Sequence, residues 1–391
     1  MAARPTPEPG CDRGNFVSEW FGHQVWPELD QSATAHENQA SRLCPFITVA
    51  TGFSTPCMKT SISFDEPYGV CTISSDSNGR RQNWIACPYR TFDQHSTLLD
   101  SAVRWAYEIG SDTRILLLPV TALGRAERQQ AISTAISEGV RVFLFSGQKM
   151  GGELELSESE ASPGASVDIS VVEVKSTDKD GIPNIDGDHF FYEIQTADFH
   201  GSPLHAARLL KECCPKDGGP DGYHSDLGSR LELLGTGVEG PNKANIFKRT
   251  IYQMLFKIAL AQHGNSAGFA IVLPAPVWDS WLTHLGKPIL EQSKDGEDHF
   301  LLLSPDERRD GLKGRRKATI YVFDIDRDAS ELPSPLRIIR RISCSSQGLA
   351  YYAFEEAAQQ ALEGGVVEKF RRAFLARIMA GWKGTLRDQR E

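Results

Sequence analysis

The chain has 391 residues, enough for one large domain or two smaller ones around a sizeable core. Charged residues at 24% and hydrophobic ones at 40% describe an ordinary globular protein, and no run of about 18 apolar residues is present to span a membrane. The net charge of −9, taken alone, argues against a nucleic-acid partner.

The N-terminus, MAARPTPEPG, lacks the apolar segment of a secretory signal, so a cytoplasmic location is expected. Thiols stay reduced there, and the eight cysteines then need a reason other than disulfides. The first hundred residues are rich in turn formers and hold Cys44, Cys57, Cys71 and Cys87. Alternating α/β patterning follows. RILLLPV (114–120) and VRVFLFS (140–146) read as buried strands, with a helix between them over about 125–138. GGELELSES (151–159), SVDISVVEVKS (166–176) and HFFYEIQT (189–196) read as three further strands. After a Gly/Pro/Asp loop at about 215–225 comes a helix whose apolar stripe is Phe247, Ile251, Met254, Leu255 and Ile258, with Lys248, Arg249 and Lys257 off it. GFAIVLPA and ATIYVFDID are expected strands, and the tail from about 348 to 386 reads as two helices split at Gly364 and Gly365.

Charge is unevenly spread. Between Glu153 and Asp198 twelve Asp or Glu face only Lys175 and Lys179, while Arg308–Lys317 and Arg337–Arg341 are locally basic. A carboxylate centre that binds a divalent ion can make a chain acidic while other faces meet phosphates; solvated charged loops are the alternative. Within the acidic stretch, Glu193 and Gln195 stand two apart on one strand and so share a face. If that strand pairs with the one carrying Asp168, then Asp168 and Glu193 converge as hard oxygen ligands suited to Mg²⁺. Glu153, after Gly151 and Gly152, adds a further carboxylate. The Asp…Glu-x-Lys form of this layout is the nuclease motif PD-(D/E)xK, and here Gln195 takes the lysine position. A glutamine can hold a water or a phosphate oxygen but supplies no positive charge.

The four N-terminal cysteines are separated by 12, 13 and 15 residues, unlike the close knuckles of common structural metal sites. Four thiolates suit Zn²⁺ or a single iron, and buried free thiols are the alternative. Cys11, Cys213, Cys214 and Cys344 read as structural or incidental. GNSAG (264–268) matches the serine nucleophile elbow only in letters, because it closes a helix and precedes a strand. His200 and His205 lack the H-E-x-x-H pattern of a zinc helix.

Longer blocks carry a resemblance. GNFVSEWFGHQVWPE (14–28), CPF at Cys44, GVC at Cys71, CPYR at Cys87, KMGGELELS (149–157), EIQTADFHGS (193–202) and EGPNKANIFKRTIYQM (239–254) are collinear with, and resemble, the NotI restriction endonuclease family, to which EagI is related. The likeness runs to about residue 285. It implies an α/β restriction-endonuclease-like PD-(D/E)xK core, a mixed sheet flanked by helices, over 96–391. It also implies an N-terminal region, 1–95, with a metal-binding module of four cysteines. Glu153, Asp168, Glu193 and Gln195 match the family's catalytic positions, and Cys44, Cys57, Cys71 and Cys87 its iron ligands, with zinc as the alternative.

What the resemblance implies is a homodimeric type II restriction endonuclease that makes Mg²⁺-dependent double-strand cuts at a GC-rich palindrome in DNA. In that scheme Asp168 and Glu193 hold Mg²⁺, Glu153 assists, and Gln195 helps place the attacking water. A cognate DNA methyltransferase is the implied cellular partner. Arg90, Lys243, Lys248 and Arg249 are the candidate DNA contacts, against a plain solubility role for each. The alternatives are a non-cleaving DNA-binding protein and a structure-selective repair nuclease on the same fold.

Overall fold

The structure, a computed structural model, describes residues 14–59, 67–77, 79–124, 126–158, 160, 163–185, 187–214, 227, 230–262, 265–310 and 318–388. Cys11, the 215–225 loop, Gly264 and the part of the basic run beyond Asp310 lie outside the described residues. The fold is mixed α/β, with one large mixed sheet flanked by helices.

The N-terminal hundred residues, which show no long period, build a small antiparallel sheet from β1 (Asn15–Trp20), β2 (His23–Gln24), β3 (Val70–Ser77) and β4 (Arg80–Ile85), in the order β2-β1-β3-β4. Helices Ala33–Ser41 and Pro45–Thr51 lie between β2 and β3. Ser32 caps the first by accepting from the Ala35 backbone N–H, and Pro45 opens the second, where a missing N–H costs nothing.

The strands expected at 114–120 and 140–146 are β5 (Ile115–Pro119) and β6 (Arg141–Gly147), joined through the helix Ala126–Ser137. Among the described residues of the next stretch the assigned strand is β7 (Leu154–Leu156). The strand expected at 166–176 is interrupted at Asp168 into β8 (Ala165–Val167) and β9 (Ile169–Val174). The short pair β10 (Ser176–Thr177) and β11 (Pro183–Asn184) leads to β12 (His189–Ile194). β13 (Ser266–Pro274), β14 (Glu291–Gln292), β15 (His299–Leu302), β16 (Ala318–Ile325) and β17 (Leu336–Cys344) complete the set. The basic run Arg337–Arg341 is thus strand, its alternate residues turned outward.

The large sheet runs β14-β15-β17-β16-β13-β12-β9-β6-β5. β12, β13 and β16 are mutually parallel neighbours, whereas β9 is antiparallel to both β6 and β12. Along β13 alternate residues serve two cores. Phe269, Ile271 and Leu273 pack with Phe247, Trp278 and Trp281 from the helices on one face. Ala270 and Val272 face a second cluster that includes Phe143, Phe190, Tyr321 and, from the small sheet, Phe16 and Trp20. A strand buried on both faces reads as continuous apolar sequence, which is why GFAIVLPA was legible as a strand. The tail is helical and broken at Gly364 and Gly365, and its last helix is Val366–Asp388. No helix among the described residues is long and apolar enough to cross a membrane.

Candidate active site

Sheet register assembles the acidic residues. In the β9–β12 pair Ile169 stands opposite Tyr192, so Asp168 and Glu193, one step beyond, meet at the end of the ladder. There the Ile194 backbone N–H donates to Asp168 Oδ2 at 2.8 Å, and the Asp168 N–H donates to Glu193 Oε1 at 3.3 Å. In the β7–β8 pair Leu154 stands opposite Val167, which brings Glu153, one step before, alongside Asp168. The break at Asp168 is therefore a crossing point, where one strand changes partners and Asp168 has Glu193 on one side and Glu153 on the other.

Glycine makes the approach possible. A Cβ on Gly147, at the end of β6, would stand 2.7 Å from the Asp168 carbonyl oxygen. Gly151 has φ of +118°, and a Cβ there would strike the Val120 side chain.

Two pockets open on either side of Asp168. One, of about 190 Å³, is lined by Asp168, Glu193, Gln195, Thr250, Gln253 and Lys257. The other, of about 150 Å³, holds Glu153 and Asp168 together with Tyr89, Gln148, Met150 and Thr196. Glu193 and Gln195 thus share a pocket as their spacing requires, Asp168 belongs to both, and Glu153 faces the second.

Electrostatics follow from this crowding. Burial, reinforced by the charge of Asp168, pushes the Glu193 carboxyl up to about 7, against the pull of Lys257. Burial likewise raises Asp168, although the Ile194 N–H and Lys257 favour its charged form. Glu153 is raised by burial and then by the charges of Asp168 and Glu155. The Thr250 hydroxyl lies 2.6 Å from Gln195 Oε1 and 2.7 Å from the Ile246 carbonyl, so its one proton serves one acceptor at a time. The Gln195 amide donates to the Thr196 carbonyl at 2.9 Å.

Lys257 belongs to this site, although its place beside the helix's apolar stripe suggested nothing of the kind. Its ammonium is 2.7 Å from Glu193 Oε1, with the side chain only 6% exposed. A signal was present: Thr250, Gln253 and Lys257 recur at positions 0, 3 and 7 of the helix Lys243–Ala261, one polar column beside the apolar stripe.

The four N-terminal cysteines are buried and free, and backbone pairing gathers them two by two. Across the antiparallel Leu43–Pro56 bridge the Cys44 N–H donates to the Thr55 carbonyl at 2.8 Å and the Cys57 N–H to the Arg42 carbonyl at 2.9 Å, so the two cysteines flank it diagonally, and the Cys87 N–H donates to the Cys71 carbonyl at 3.2 Å. All four thiols are raised by burial, and Cys44, Cys57 and Cys71 in addition by the charges of neighbouring cysteines, Cys87 first in each case.

By donor chemistry the thiols suit a soft or borderline metal and the Asp168–Glu193 pair a hard divalent one. As they stand, however, no group of three or more His, Cys, Asp or Glu among the described residues is placed to hold a metal ion.

The candidate DNA contacts separate. Arg90 is corrected: it is fully buried, donates to Glu19 through Nε at 3.0 Å, and donates to the Ser334 carbonyl at 2.6 Å. A guanidinium so committed joins the small sheet to the β16–β17 connection and meets no solvent. Lys243 is half-buried with its ammonium over the Trp84 ring, Lys248 is exposed, and Arg249 is exposed beside Asp198 at 3.3 Å. His205 begins the helix Leu204–Cys213, and His200 lies in the loop before it. No protein-family model and no curated protein matches the chain, so its function has to be read from the chemistry of the site.

Proposed function

We propose that the protein is a type II site-specific deoxyribonuclease with a variant PD-(D/E)xK core, cutting both strands of a GC-rich palindromic DNA site as a homodimer. The observation that carries this reading is the meeting of Asp168 and Glu193 at the end of the β9–β12 ladder, with Gln195 in the same pocket and Glu153 in the pocket on the other side of Asp168. Carboxylates this crowded, with raised pKa values, are held for a cation or a reaction rather than for stability.

Asp168 and Glu193 would hold Mg²⁺, with Glu153 assisting from the neighbouring pocket. When bound, the ion supplies charge neutralisation at a phosphate and a more acidic water. Gln195, braced by Thr250, orients the water through its amide. The water oxygen bonds to phosphorus as the bond to the bridging oxygen breaks; that oxygen leaves with the electron pair and takes up a proton, while the water gives one up. Lys248 and Arg249, exposed on the helix Lys243–Ala261 that also lines the pocket, suit phosphate contact. Two protomers related by a two-fold axis would match a palindrome. Cys44, Cys57, Cys71 and Cys87 would hold one iron, or zinc in its place, and so brace the N-terminal region. A DNA methyltransferase of the same specificity would protect the host's own sites.

The test is incubation of GC-rich plasmid with the protein and Mg²⁺. Discrete fragments with uniform sequenced ends, abolished by EDTA, are expected. Unbroken plasmid would favour a non-cleaving DNA-binding protein, and ragged or unmapped ends a structure-selective nuclease. For the thiols, Cys71→Ser should lower the iron or zinc content found by elemental analysis, and an unchanged content would remove that part of the proposal.

A further inference from the structure

In the E-x-K arrangement the lysine brings positive charge to the scissile phosphate, and Gln195 in its place brings none. Among the described residues lining the pocket, no strand supplies a cation. A helix does. Lys257 reaches the pocket from Lys243–Ala261, two turns beyond the Thr250 that braces Gln195, and its ammonium lies 2.7 Å from Glu193 Oε1. It lines the same pocket as Asp168, Glu193 and Gln195.

Burying an ammonium is costly, and a buried pair seldom stabilises a fold more than apolar residues of the same size would. The position of this one is informative for that reason. It faces a pocket rather than a packed core, and its charge acts on Glu193, Asp168 and Glu153 alike.

We infer that Lys257 is the cation of the active site, delivered from the helix instead of the strand, and that it contacts a non-bridging oxygen of the scissile phosphate. The inference rests on the nuclease reading above and adds a substrate-contacting residue to it. Lys257 contributes charge and hydrogen bonds and exchanges no proton in the step. With Glu193 occupied by a bound divalent ion, the Lys257 ammonium would be free to turn from that carboxylate toward the phosphate. Lysine carries three donors on a flexible stem, so a short swing suffices.

The experiment compares full-length wild type with Lys257→Met, Lys257→Gln and Lys257→Arg on a duplex carrying the site mapped by wild-type cutting. Single-turnover rates are measured across a Mg²⁺ titration, DNA binding by gel shift in EDTA, and folding by thermal melting. At saturating Mg²⁺ both neutral variants should lose about 10²–10³-fold in rate, the usual effect of removing one charge-stabilising donor. The arginine variant should recover roughly tenfold of that loss. Binding in EDTA should stay within about threefold of wild type, and the Mg²⁺ midpoint should not rise, since the loss falls on the chemical step. Neutral variants that cut at near wild-type rate with a lowered Mg²⁺ midpoint would overturn the inference, because Lys257 would then be only a counter-ion of Glu193. Loss of the folded state in both neutral variants would overturn it too. If Lys257→Met alone fails to fold, Lys257→Gln decides. A wild type that cuts no plasmid removes the nuclease reading itself, an outcome separate from any result with the variants.

Discussion

Glu19 in the small sheet and Glu193 in the large one are both carboxylates withdrawn from water, yet one is held down to about 2 and the other pushed up to about 7. Burial raises both. The difference lies in their neighbours. Glu19 accepts from the Thr72 hydroxyl and from Arg90, and Arg327 adds a second guanidinium at 3.2 Å. Two cations and a hydroxyl outweigh one desolvated charge. Glu193 has a single ammonium and must share it with Asp168 and Glu153, so negative charge is in excess. The first cluster is balanced by its own cations, and the second carries more acidic groups than cations. Buried charge alone therefore says little about function; the balance within the cluster says more.

The contrast can be broken most forcefully at the unbalanced end. Asp168→Ala and Glu193→Ala should each take cleavage below detection, a loss of at least about 10³-fold, while gel shifts show sequence-specific binding retained. Loss of binding as well would make these carboxylates part of the frame. At the balanced end, Glu19→Gln should cost about 3–5 kcal/mol in denaturant unfolding, because Arg90 would be left buried without its counter-charge. A cost under about 1 kcal/mol would mean that water or rearrangement rescues Arg90.

How much of this contrast was legible in the sequence depends on the range of the interactions. Strands β5, β6, β9, β12 and β13 declared themselves through apolar runs, and Glu193 and Gln195 through a period of two. Glu153 and Asp168 were legible as acids near strand ends, but their meeting depends on the strand break at Asp168, which a run as regular as SVDISVVEV conceals. The small sheet was hidden by brevity, since a two-residue β2 and bulged β1–β3 pairing leave no period to read. Arg90 misled because charge suggests exposure, whereas its partner Glu19 lies 71 residues earlier. Lys257 escaped notice for a related reason: on a helical wheel it borders the apolar stripe, and only the packed sheet shows what that border faces.

A milder probe is pH. Glu193 in the unfolded chain loses its proton near the ordinary 4.5, while in the folded chain it keeps it to about 7. Between these values the folded state binds more protons, so stability of protein without divalent ions should fall as pH rises, by about 1–3 kcal/mol. Glu193→Gln should flatten that slope, and an unchanged slope would place its origin elsewhere. Glu19 works in the opposite sense: its contribution is present above 4.5 and fades only as pH falls toward 2. The smallest effect belongs to an exposed pair. Arg249 and Asp198 have side chains 72% and 50% exposed, so Arg249→Ala should change stability by less than about 0.5 kcal/mol. The same substitution should weaken DNA binding and lower its salt slope by about one.

Residues 87 to 90 tie the contrasted regions together. Within one short turn Cys87 joins the thiol cluster, Tyr89 lines the pocket of Glu153 and Asp168 while donating to Gln148 at 3.2 Å, and Arg90 closes on Glu19. An inserted or deleted residue there would move all three attachments out of step together. An engineer wishing to transplant the acidic centre onto another scaffold would have to carry this hinge-pin with it, along with the strands it fastens.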